Sequence, residues 1–305
     1  MNDKLIEKIE QLKQEHNAVI LAHNYQTADI QDLADFTGDS LGLSIKAAET
    51  DADVIVFCGV LFMAETAAIL SPEKTVLLPD KYAGCPMADM ITAEQLLDLK
   101  QKHPDALVVC YVNSTARVKA QSDYCCTSAN AVEIVDSLPK ESPVIFVPDQ
   151  NLGRFVIERT GRDLILWPGY CHVHVIITEE DIKAAKEKFP DAVVLAHPEC
   201  TDPVKAVSDQ LLSTGQMLRY AANSRAKRFI IATETGIIHT LKKQNPGAEF
   251  IPATERAVCP NMKRITLEKV LWSLQDLQYK VTVPKDVRIK AKKALDMMVE
   301  ILPVK

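Results

Sequence analysis

Three cysteines recur at nearly equal intervals along this chain, and their side chains could bind a metal. Cys85, Cys171 and Cys259 each follow shortly after a proline, and they are separated by 86 and 88 residues. Zinc sites usually have four ligands with short spacings such as C-x2-C, and no such pair occurs here. Iron–sulfur clusters are held by thiolates, usually four, and tolerate distant ligands. Three thiolates would leave one iron open to act as a Lewis acid on substrate.

A simpler interpretation exists for any one of these cysteines. A buried thiol often serves only as a small hydrophobic side chain, and this fits Cys58 and Cys110, which end apolar segments. Cys85, Cys171 and Cys259 recur at nearly equal intervals, and this regular spacing favours a common site for the three.

Pairs of polar residues follow three apolar segments at matching positions. The pairs are His23 and Tyr25, Tyr111 and Asn113, and His197 and Glu199. Residues two apart on a strand point to the same side, and ligands bind outside the carboxyl ends of parallel strands. We therefore expect these six side chains to line one site, although a single buried histidine is more often a core residue.

Hydroxyl residues stand where a predicted strand meets the next helix: Ser40, Ser128, and the pair Ser213 and Thr214. Such positions bind anions through free backbone N–H groups and the helix dipole. They are also ordinary helix N-caps, and both roles are compatible. The pattern predicts a ligand with several anionic groups, such as carboxylates and a phosphate.

Two further features could belong to the same site. His172 and His174 flank Cys171 and are either partners behind the metal ligands or solvated side chains. The turn-like segments 149–153 and 234–236 fall at the same predicted sheet edge and could line the cavity.

These residues recur because the chain repeats itself three times. The apolar segments 18–25, 106–113 and 192–199 align, and Asp35, Asp123 and Asp209 each precede a hydroxyl residue by five positions. Thr92, Thr178 and Thr266 each open a helix with acidic residues in its first turn. Each unit therefore reads as four strands alternating with three helices. Apolar strands that alternate with helices predict parallel sheets and an α/β fold.

The repeat phase sets the expected domain organisation. We predict three homologous α/β/α sandwich units over residues 1–90, 91–176 and 177–264. Residues 265–305 should form C-terminal helices that pack back on the first unit. A pseudo-threefold arrangement would direct the carboxyl ends of all three sheets, and with them the three cysteines, to a central cavity.

Composition excludes several classes of protein. The 305 residues carry 35 basic and 41 acidic side chains, a net charge of −6, which argues against a nucleic-acid binder. The longest uncharged apolar run has 11 residues, whereas a membrane-spanning helix needs about 20. The first residues show no apolar signal segment. We expect a cytoplasmic protein without membrane contact, in which eight cysteines do not indicate disulfides.

Several short motifs point to one family. They are 22–26 (AHNYQ), 38–41 (GDSL), 62–65 (FMAE), 85–88 (CPMA), 111–115 (YVNST), 127–131 (TSANA), 197–200 (HPEC), 213–217 (STGQM) and 258–263 (VCPNMK). With these motifs the chain resembles the quinolinate synthase family of NAD biosynthesis over nearly its whole length.

The resemblance implies an activity and a cofactor. The family condenses iminoaspartate with dihydroxyacetone phosphate to form quinolinate, releasing phosphate and water. It uses a [4Fe–4S] cluster whose three ligands match Cys85, Cys171 and Cys259, with the open iron facing the substrate. A transient contact with L-aspartate oxidase or aspartate dehydrogenase, which could supply iminoaspartate, is a further expectation.

The resemblance also implies site residues. Catalytic roles fall on Tyr25 and Glu199, the proposed acid/base groups, and on His23 and His197. The substrate-binding set comprises His23, Tyr25, Ser40, Met63, Tyr111, Val112, Asn113, Ser128, His197, Pro198, Glu199, Ser213 and Thr214. Two alternatives remain open: another [4Fe–4S] hydro-lyase, and a non-catalytic iron–sulfur sensor. The lack of a basic patch counts against a sensor that binds DNA.

Overall fold

Residues 2–301, the part of the chain that the computed structural model describes, form three sets of alternating helices and strands. A short 3-10 helix (Met262–Arg264) and two C-terminal α-helices follow them. The first set is α1 (Asn2–Glu15), β1 (Ala18–His23), α2 (Ala28–Leu33), β2 (Phe36–Gly38), α3 (Ser40–Glu49), β3 (Val54–Cys58), α4 (Leu61–Leu70) and β4 (Thr75–Leu77). The second set is α5 (Ala93–Lys102), β5 (Leu107–Tyr111), α6 (Ala116–Lys119), β6 (Tyr124–Cys126), α7 (Ala131–Ser137), β7 (Val144–Val147), α8 (Gln150–Thr160) and β8 (Ile165–Leu166). The third set is α9 (Glu179–Lys188), β9 (Val193–Ala196), α10 (Asp202–Ala206), β10 (Gln210–Leu211), α11 (Thr214–Asn223), β11 (Arg228–Ala232), α12 (Ile237–Gln244) and β12 (Glu249–Pro252).

Each set forms its own four-stranded sheet with the same strand order. The orders are β2-β1-β3-β4, β6-β5-β7-β8 and β10-β9-β11-β12, and all pairs of neighbouring strands are parallel. The sequence prediction of an α/β fold built from three similar parallel units is confirmed. Because the first strand lies second in every sheet, its carboxyl end sits between those of its neighbours.

The repeated aspartates have the same structural role in all three units. A carboxylate oxygen of Asp35, Asp123 and Asp209 accepts the backbone N–H of Ile20, Val108 and Val194, respectively, at 2.8 Å. Each bond ties the residue just before the edge strand to the first strand of its sheet. This explains the recurrence of Asp at that position in the sequence.

The helices that precede the second and third sheets begin as the sequence predicted. The hydroxyls of Thr92 and Thr178 accept backbone N–H groups from Gln95 and Asp181, whose side chains bond back to the threonine N–H in complete capping boxes. Thr266 caps the helix α13 (Leu267–Asp276) in the same way through its hydroxyl. Helix starts are thus fixed locally, by residues that the sequence displays.

Two hydrophobic cores hold the units together. The larger core joins the first and second units to one face of the third sheet, and the smaller core lies on the other face of the third sheet. Strand β11 alternates between them: Phe229 and Ile231 belong to the large core, and Ile230 and Ala232 to the small one. The third sheet is therefore apolar on both faces, as buried parallel sheets are.

The C-terminal segment forms two helices with different neighbours. Helix α13 contacts α1 and β3 of the first unit. The last helix, α14 (Lys285–Glu300), contacts α3 and α4 of the first unit and also α6 and β6 of the second. Met1 and residues 302–305, which fall within the predicted end units, lie outside the described residues. Within residues 2–301 no helix combines the length and apolar character needed to cross a membrane.

Candidate active site

One cavity lies where the carboxyl ends of the three sheets meet, and side chains from all three units line it. The predicted site residues among its lining are His23, Tyr25, Ser40, Met63, Cys85, Tyr111, Asn113, Ser128, Cys171, His197, Glu199, Thr214 and Cys259. Val112, Pro198 and Ser213 are not among the lining residues, although all three are buried beside it. The structure thus brings together residues spread over more than half of the chain.

The strand register explains this convergence. Ala22 pairs with Cys58 in the first sheet, Cys110 with Val147 in the second, and Ala196 with Ala232 in the third. The residues that follow Ala22, Cys110 and Ala196 are therefore equivalent; they are His23, Tyr111 and His197. Two positions later come Tyr25, Asn113 and Glu199. The repeat thus places six polar side chains at equivalent strand ends that line the cavity.

The three cysteines share a local geometry. The backbone N–H groups of the second and third residues after each cysteine lower the pKa of its thiol: Met87 and Ala88 for Cys85, Val173 and His174 for Cys171, and Asn261 and Met262 for Cys259. Such N–H groups favour a thiolate. None of the three cysteines is in a disulfide.

Burial opposes the thiolate form at the same positions. Burial raises the pKa of the Cys85 thiol to about 12, and it also raises the pKa values of Cys171 and Cys259. Negative neighbours add to this, since Cys259 and Glu199 raise the pKa of Cys85 further. A bound cation would reverse the balance, because metal ligation deprotonates a thiol. The donor set therefore fits a metal group.

The spacing of possible ligand atoms separates a single ion from a larger group. Within residues 2–301, the one set of three ligand atoms that all lie within 4.8 Å of one another belongs to Cys171, His174 and Glu199. The three cysteine sulfurs therefore do not all lie within that distance of one another. Three thiolates on one zinc would be about 3.8 Å apart, given Zn–S bonds of about 2.3 Å. The cysteines fit a multi-iron cluster better than a single ion.

Glu199 is the hub of the polar contacts in the cavity. One carboxylate oxygen accepts the hydroxyl of Tyr111 at 2.6 Å and the amide of Asn113 at 3.4 Å. The other lies 2.7 Å from Nδ1 of His174 and 3.6 Å from Nδ1 of His197. Burial would raise the pKa of this carboxyl, but the two imidazoles and the Tyr111 hydroxyl outweigh burial and lower the pKa to about 2. Glu199 is therefore ionised.

A chain of contacts links Glu199 to Tyr25. Nε2 of His174 lies 2.8 Å from Oγ1 of Thr233, and that hydroxyl lies 2.5 Å from the Tyr25 hydroxyl. Nδ1 of His174 is not aligned for a hydrogen bond to Glu199, although the two atoms are only 2.7 Å apart. In the tautomer with the ring proton on Nδ1, Nε2 can accept from Thr233, and Thr233 can accept from Tyr25. Burial, with the charge of Glu199, raises the pKa of Tyr25 well above its usual value, so the phenol is neutral.

The rings of His23 and His197 make the same hydrogen bond through Nδ1, which leaves Nε2 as the nitrogen of each ring that can contact a ligand. Nδ1 of His23 accepts the backbone N–H of Tyr25 at 3.1 Å, and Nδ1 of His197 accepts that of Glu199 at 3.3 Å. The proton must therefore be on Nε2, which in His197 lies 3.1 Å from the hydroxyl of Ser128. Burial lowers the pKa of both rings to about 3, so both are neutral hydrogen-bond donors at physiological pH.

Helix starts supply the remaining polar surface. No lysine or arginine is among the cavity-lining residues of the described chain. The ten-residue helices α3 and α11 begin at Ser40 and Thr214, both at the cavity. The hydroxyl of Ser213 is occupied as the N-cap of α11, where it accepts the N–H of Gln216. Anions in this cavity would thus meet backbone N–H groups and helix dipoles rather than cationic side chains.

Several polar residues at the cavity were not singled out as site residues from the sequence. Four of them are at most 1% exposed: His174, Thr233, Asp149 and Glu234. Asp39, Thr127 and His172 also line the cavity. The sequence left two roles for His174, a partner behind the metal ligands or a solvated side chain. Because it is buried against Glu199, it is not solvated. Asp149 and Glu234 lie in the two turn segments that the sequence flagged. The sequence did not indicate Thr233. It directly follows the third strand of its unit, and the equivalent residues in the other two units, Gly59 and Pro148, have no hydroxyl group.

Comparison with known proteins identifies the relatives of this chain. Residues 7–300 match the family model described as quinolinate synthetase A protein. A protein named quinolinate synthase from Dehalococcoides mccartyi (strain CBDB1) is 57% identical over 295 residues, 97% of each chain. One named quinolinate synthase 2 from Methanosarcina acetivorans is 54% identical over 302 residues, 99% of this chain and 97% of the relative. A quinolinate synthase from Pelobacter propionicus is 54% identical over 302 residues, 99% of each.

The match spans all three sheets, the three cysteines and every polar contact described above. The chain belongs to the quinolinate synthetase A protein family.

Proposed function

We propose that this chain is a quinolinate synthase that condenses iminoaspartate with dihydroxyacetone phosphate, releasing phosphate and water. The family membership and the names of relatives at 54–57% identity support the activity. The cavity supports the substrate class, because it offers hydrogen-bond donors and helix starts to a ligand with several anionic groups. Assignment as a transferase of NAD biosynthesis and a cytoplasmic location remain parts of this proposal.

Cys85, Cys171 and Cys259 would hold a [4Fe–4S] cluster in this cavity. The support is their convergence, the paired N–H donors at each sulfur and a spacing too wide for one zinc ion. When bound, the cluster would supply a Lewis-acidic iron, without a protein ligand, for a substrate oxygen or nitrogen.

Proton transfer would use the contacts from Tyr25 to Glu199. Condensation and loss of water both need a group that removes and returns protons at the substrate. The Tyr25 hydroxyl can pass its proton to Thr233 as Thr233 passes its own to Nε2 of His174. The carboxylate of Glu199 at Nδ1 then stabilises the imidazolium, as a buried carboxylate does in a Ser-His-Asp triad. Glu199 itself is a weak base at a pKa of about 2, so we assign the direct proton exchange to Tyr25.

His23, His197 and the helix starts would bind and orient the substrates. The two neutral imidazoles donate from Nε2, and neither changes charge in the physiological range. Ser40 and Thr214 add hydroxyl groups at the starts of α3 and α11, which suits carboxylate and phosphate oxygens. Ser128 lies before the N-cap of α7, not at its start, and adds a hydroxyl 3.1 Å from Nε2 of His197. These roles of the predicted site residues remain proposals.

The observation that carries the proposal is the meeting of three cysteines and the Tyr25–Thr233–His174–Glu199 chain in one cavity. The test is an anaerobic assay of the reconstituted protein with enzymatically generated iminoaspartate. Quinolinate should form only when dihydroxyacetone phosphate is also present. A cluster-containing protein that forms none, and instead dehydrates another hydroxy acid, would be a different hydro-lyase. A protein that holds the cluster but turns over no substrate would favour the alternative of a non-catalytic iron–sulfur sensor.

A further inference from the structure

Two buried carboxylates, Asp149 and Glu234, accept hydrogen bonds from the backbone N–H groups of Cys171 and Cys259. In the second unit, Oδ1 of Asp149 accepts the N–H of Leu152 at 2.8 Å and so caps helix α8. Its other oxygen, Oδ2, accepts the backbone N–H of Cys171 at 3.1 Å. Asp149 is fully buried. The carboxylate therefore connects the end of the third strand directly to the cysteine turn.

The third unit has the same arrangement. Oε2 of Glu234 accepts the N–H of Gly236 at 2.7 Å, within its own turn. Oε1 accepts the backbone N–H of Cys259 at 3.0 Å and lies 2.9 Å from Nζ of Lys263. Glu234 is 1% exposed. A different acidic residue thus makes the same bond to a different cysteine.

These two residues occupy one repeat position. Val147 and Ala232, the last residues of β7 and β11, are equivalent by strand register. Asp149 and Glu234 each come two residues later. The first unit has Val60 at this position, two residues after Cys58, and its side chain has no polar atom. The repeat is therefore broken in one unit only, the unit that contributes Cys85.

We propose that Asp149 and Glu234 are positioning residues for the iron–sulfur cluster, each fixing one ligand cysteine through its backbone amide. This inference rests on the proposed function, since it requires the cluster at Cys85, Cys171 and Cys259. The two carboxylates hold the Cys171 and Cys259 turns in the geometry in which the next N–H groups point at the sulfur. Among the described residues, no carboxylate makes the equivalent bond to the backbone N–H of Cys85.

The proposal has a consequence for the reduction potential of the cluster as well as for its retention. Hydrogen bonds near the sulfurs of a cluster help to set its reduction potential. The two carboxylates hold the backbone of the Cys171 and Cys259 turns, so weakening either bond should shift the potential.

The test compares cluster retention and potential in three variants of the full chain, reconstituted anaerobically. Glu234→Gln and Asp149→Asn keep the size of the side chain and weaken the bond to the cysteine amide. Asp149→Ser keeps a hydroxyl that can cap α8 but is too short to reach Cys171. Each variant should lose iron to a chelator about 10- to 100-fold faster than wild type, the range found for residues that orient metal ligands. The midpoint potential should shift in Glu234→Gln and in Asp149→Asn, because the turn that carries each cysteine loses a backbone hydrogen bond.

The control is Asp123→Asn. It weakens the 2.8 Å hydrogen bond between the Asp123 carboxylate and the backbone N–H of Val108, which lies outside the cavity. It should release iron at the wild-type rate with an unchanged potential. Wild-type release rates in the Asp149 and Glu234 variants, or an unchanged potential in Glu234→Gln, would overturn the proposal. If Asp149→Asn fails to fold, Asp149→Ser decides the same point, because its helix cap is intact. A wild-type protein that takes up no cluster would instead contradict the proposed function.

Discussion

Oε2 of Glu199 lies 2.7 Å from Nδ1 of His174, and both side chains are almost completely buried. His174 comes from the turn after Cys171, whereas Glu199 follows the first strand of the third unit. The contact therefore joins the cysteine turn to the strand ends. It also orients the imidazole so that its other nitrogen faces Thr233 and, through it, Tyr25.

Replacing Glu199 by Gln should leave the cluster in place and reduce turnover sharply. The amide cannot stabilise an imidazolium at His174, so we expect kcat to fall by about 10²- to 10⁴-fold, the usual contribution of acid–base catalysis. Iron content and steady-state quinolinate formation measure the two effects separately. The matched control is Glu158→Gln on the exposed face of α8. Activity of Glu199→Gln near the wild-type level would remove Glu199 from the chemistry.

The Thr233→Val substitution tests the relay itself, because it removes one hydroxyl at nearly constant volume. Tyr25 then loses its 2.5 Å hydrogen bond to Thr233 and keeps only a direct 3.5 Å contact with Nε2 of His174, so we expect kcat to fall by about 10²-fold or more. Unfolding free energy should drop by about 1–3 kcal/mol, since a buried phenol loses its short hydrogen bond. Thr233→Ser should restore most of the turnover. If Thr233→Val and Thr233→Ser are equally active, protons do not pass through this hydroxyl.

The buried histidines predict an acid-labile fold. His23 and His197 have pKa values of about 3 in the folded protein and about 6.5 when unfolded. Between these values the unfolded chain binds more protons, so stability falls as the pH falls. Each ring should contribute about 1 kcal/mol per pH unit. Denaturant titrations of the cluster-free protein at pH 6.0 and 5.0 measure this slope.

The variants His23→Gln and His197→Gln should each flatten that slope, whereas His16→Gln, at the end of α1 and away from the cavity, should not. A pH dependence unaffected by the first two variants would mean that these rings are not held neutral in the folded protein.

Thr214 and Ser213 are neighbours with different expected roles. Thr214 lines the cavity and its Oγ1 accepts Nδ2 of Asn24 at 3.0 Å, whereas the Ser213 hydroxyl caps α11. Thr214→Val should raise KM for the anionic substrates about tenfold, by loss of one hydrogen bond to a charged group. Ser213→Ala should mainly lower unfolding free energy, by about 1 kcal/mol. The reverse pattern in kinetics and denaturation would assign ligand binding to Ser213.

How much of this site the sequence could predict depends on the repeat. Tyr111, His197 and the three cysteines were predictable because equivalent residues occur in equivalent units, and parallel strands end at one edge. The three-unit fold followed from the same periodicity together with apolar strands and threonine-capped helices. Repetition makes a weak local signal strong, since three independent positions have to agree.

The missing residues lie where the repeat fails. Thr233 is equivalent to Gly59 and Pro148, and Val60 replaces the carboxylate found at positions 149 and 234. His174 lies in a cysteine turn outside any strand or helix. Only the folded chain brings Thr233 and His174 within 2.8 Å of each other. Such contacts depend on how units pack, which periodicity along one unit does not encode.

Metal analysis of anaerobically purified protein shows whether the three distant cysteines together hold one cluster. Iron, sulfide and the visible spectrum should be measured for wild type, Cys85→Ala, Cys171→Ala, Cys259→Ala and Cys200→Ala, the last being a buried thiol outside the cavity lining. We predict about four irons per chain in wild type and in Cys200→Ala, as in a [4Fe–4S] cluster, and loss of the cluster in the other three. An iron-free wild type after reconstitution, or a cluster that survives all three substitutions, would contradict the account.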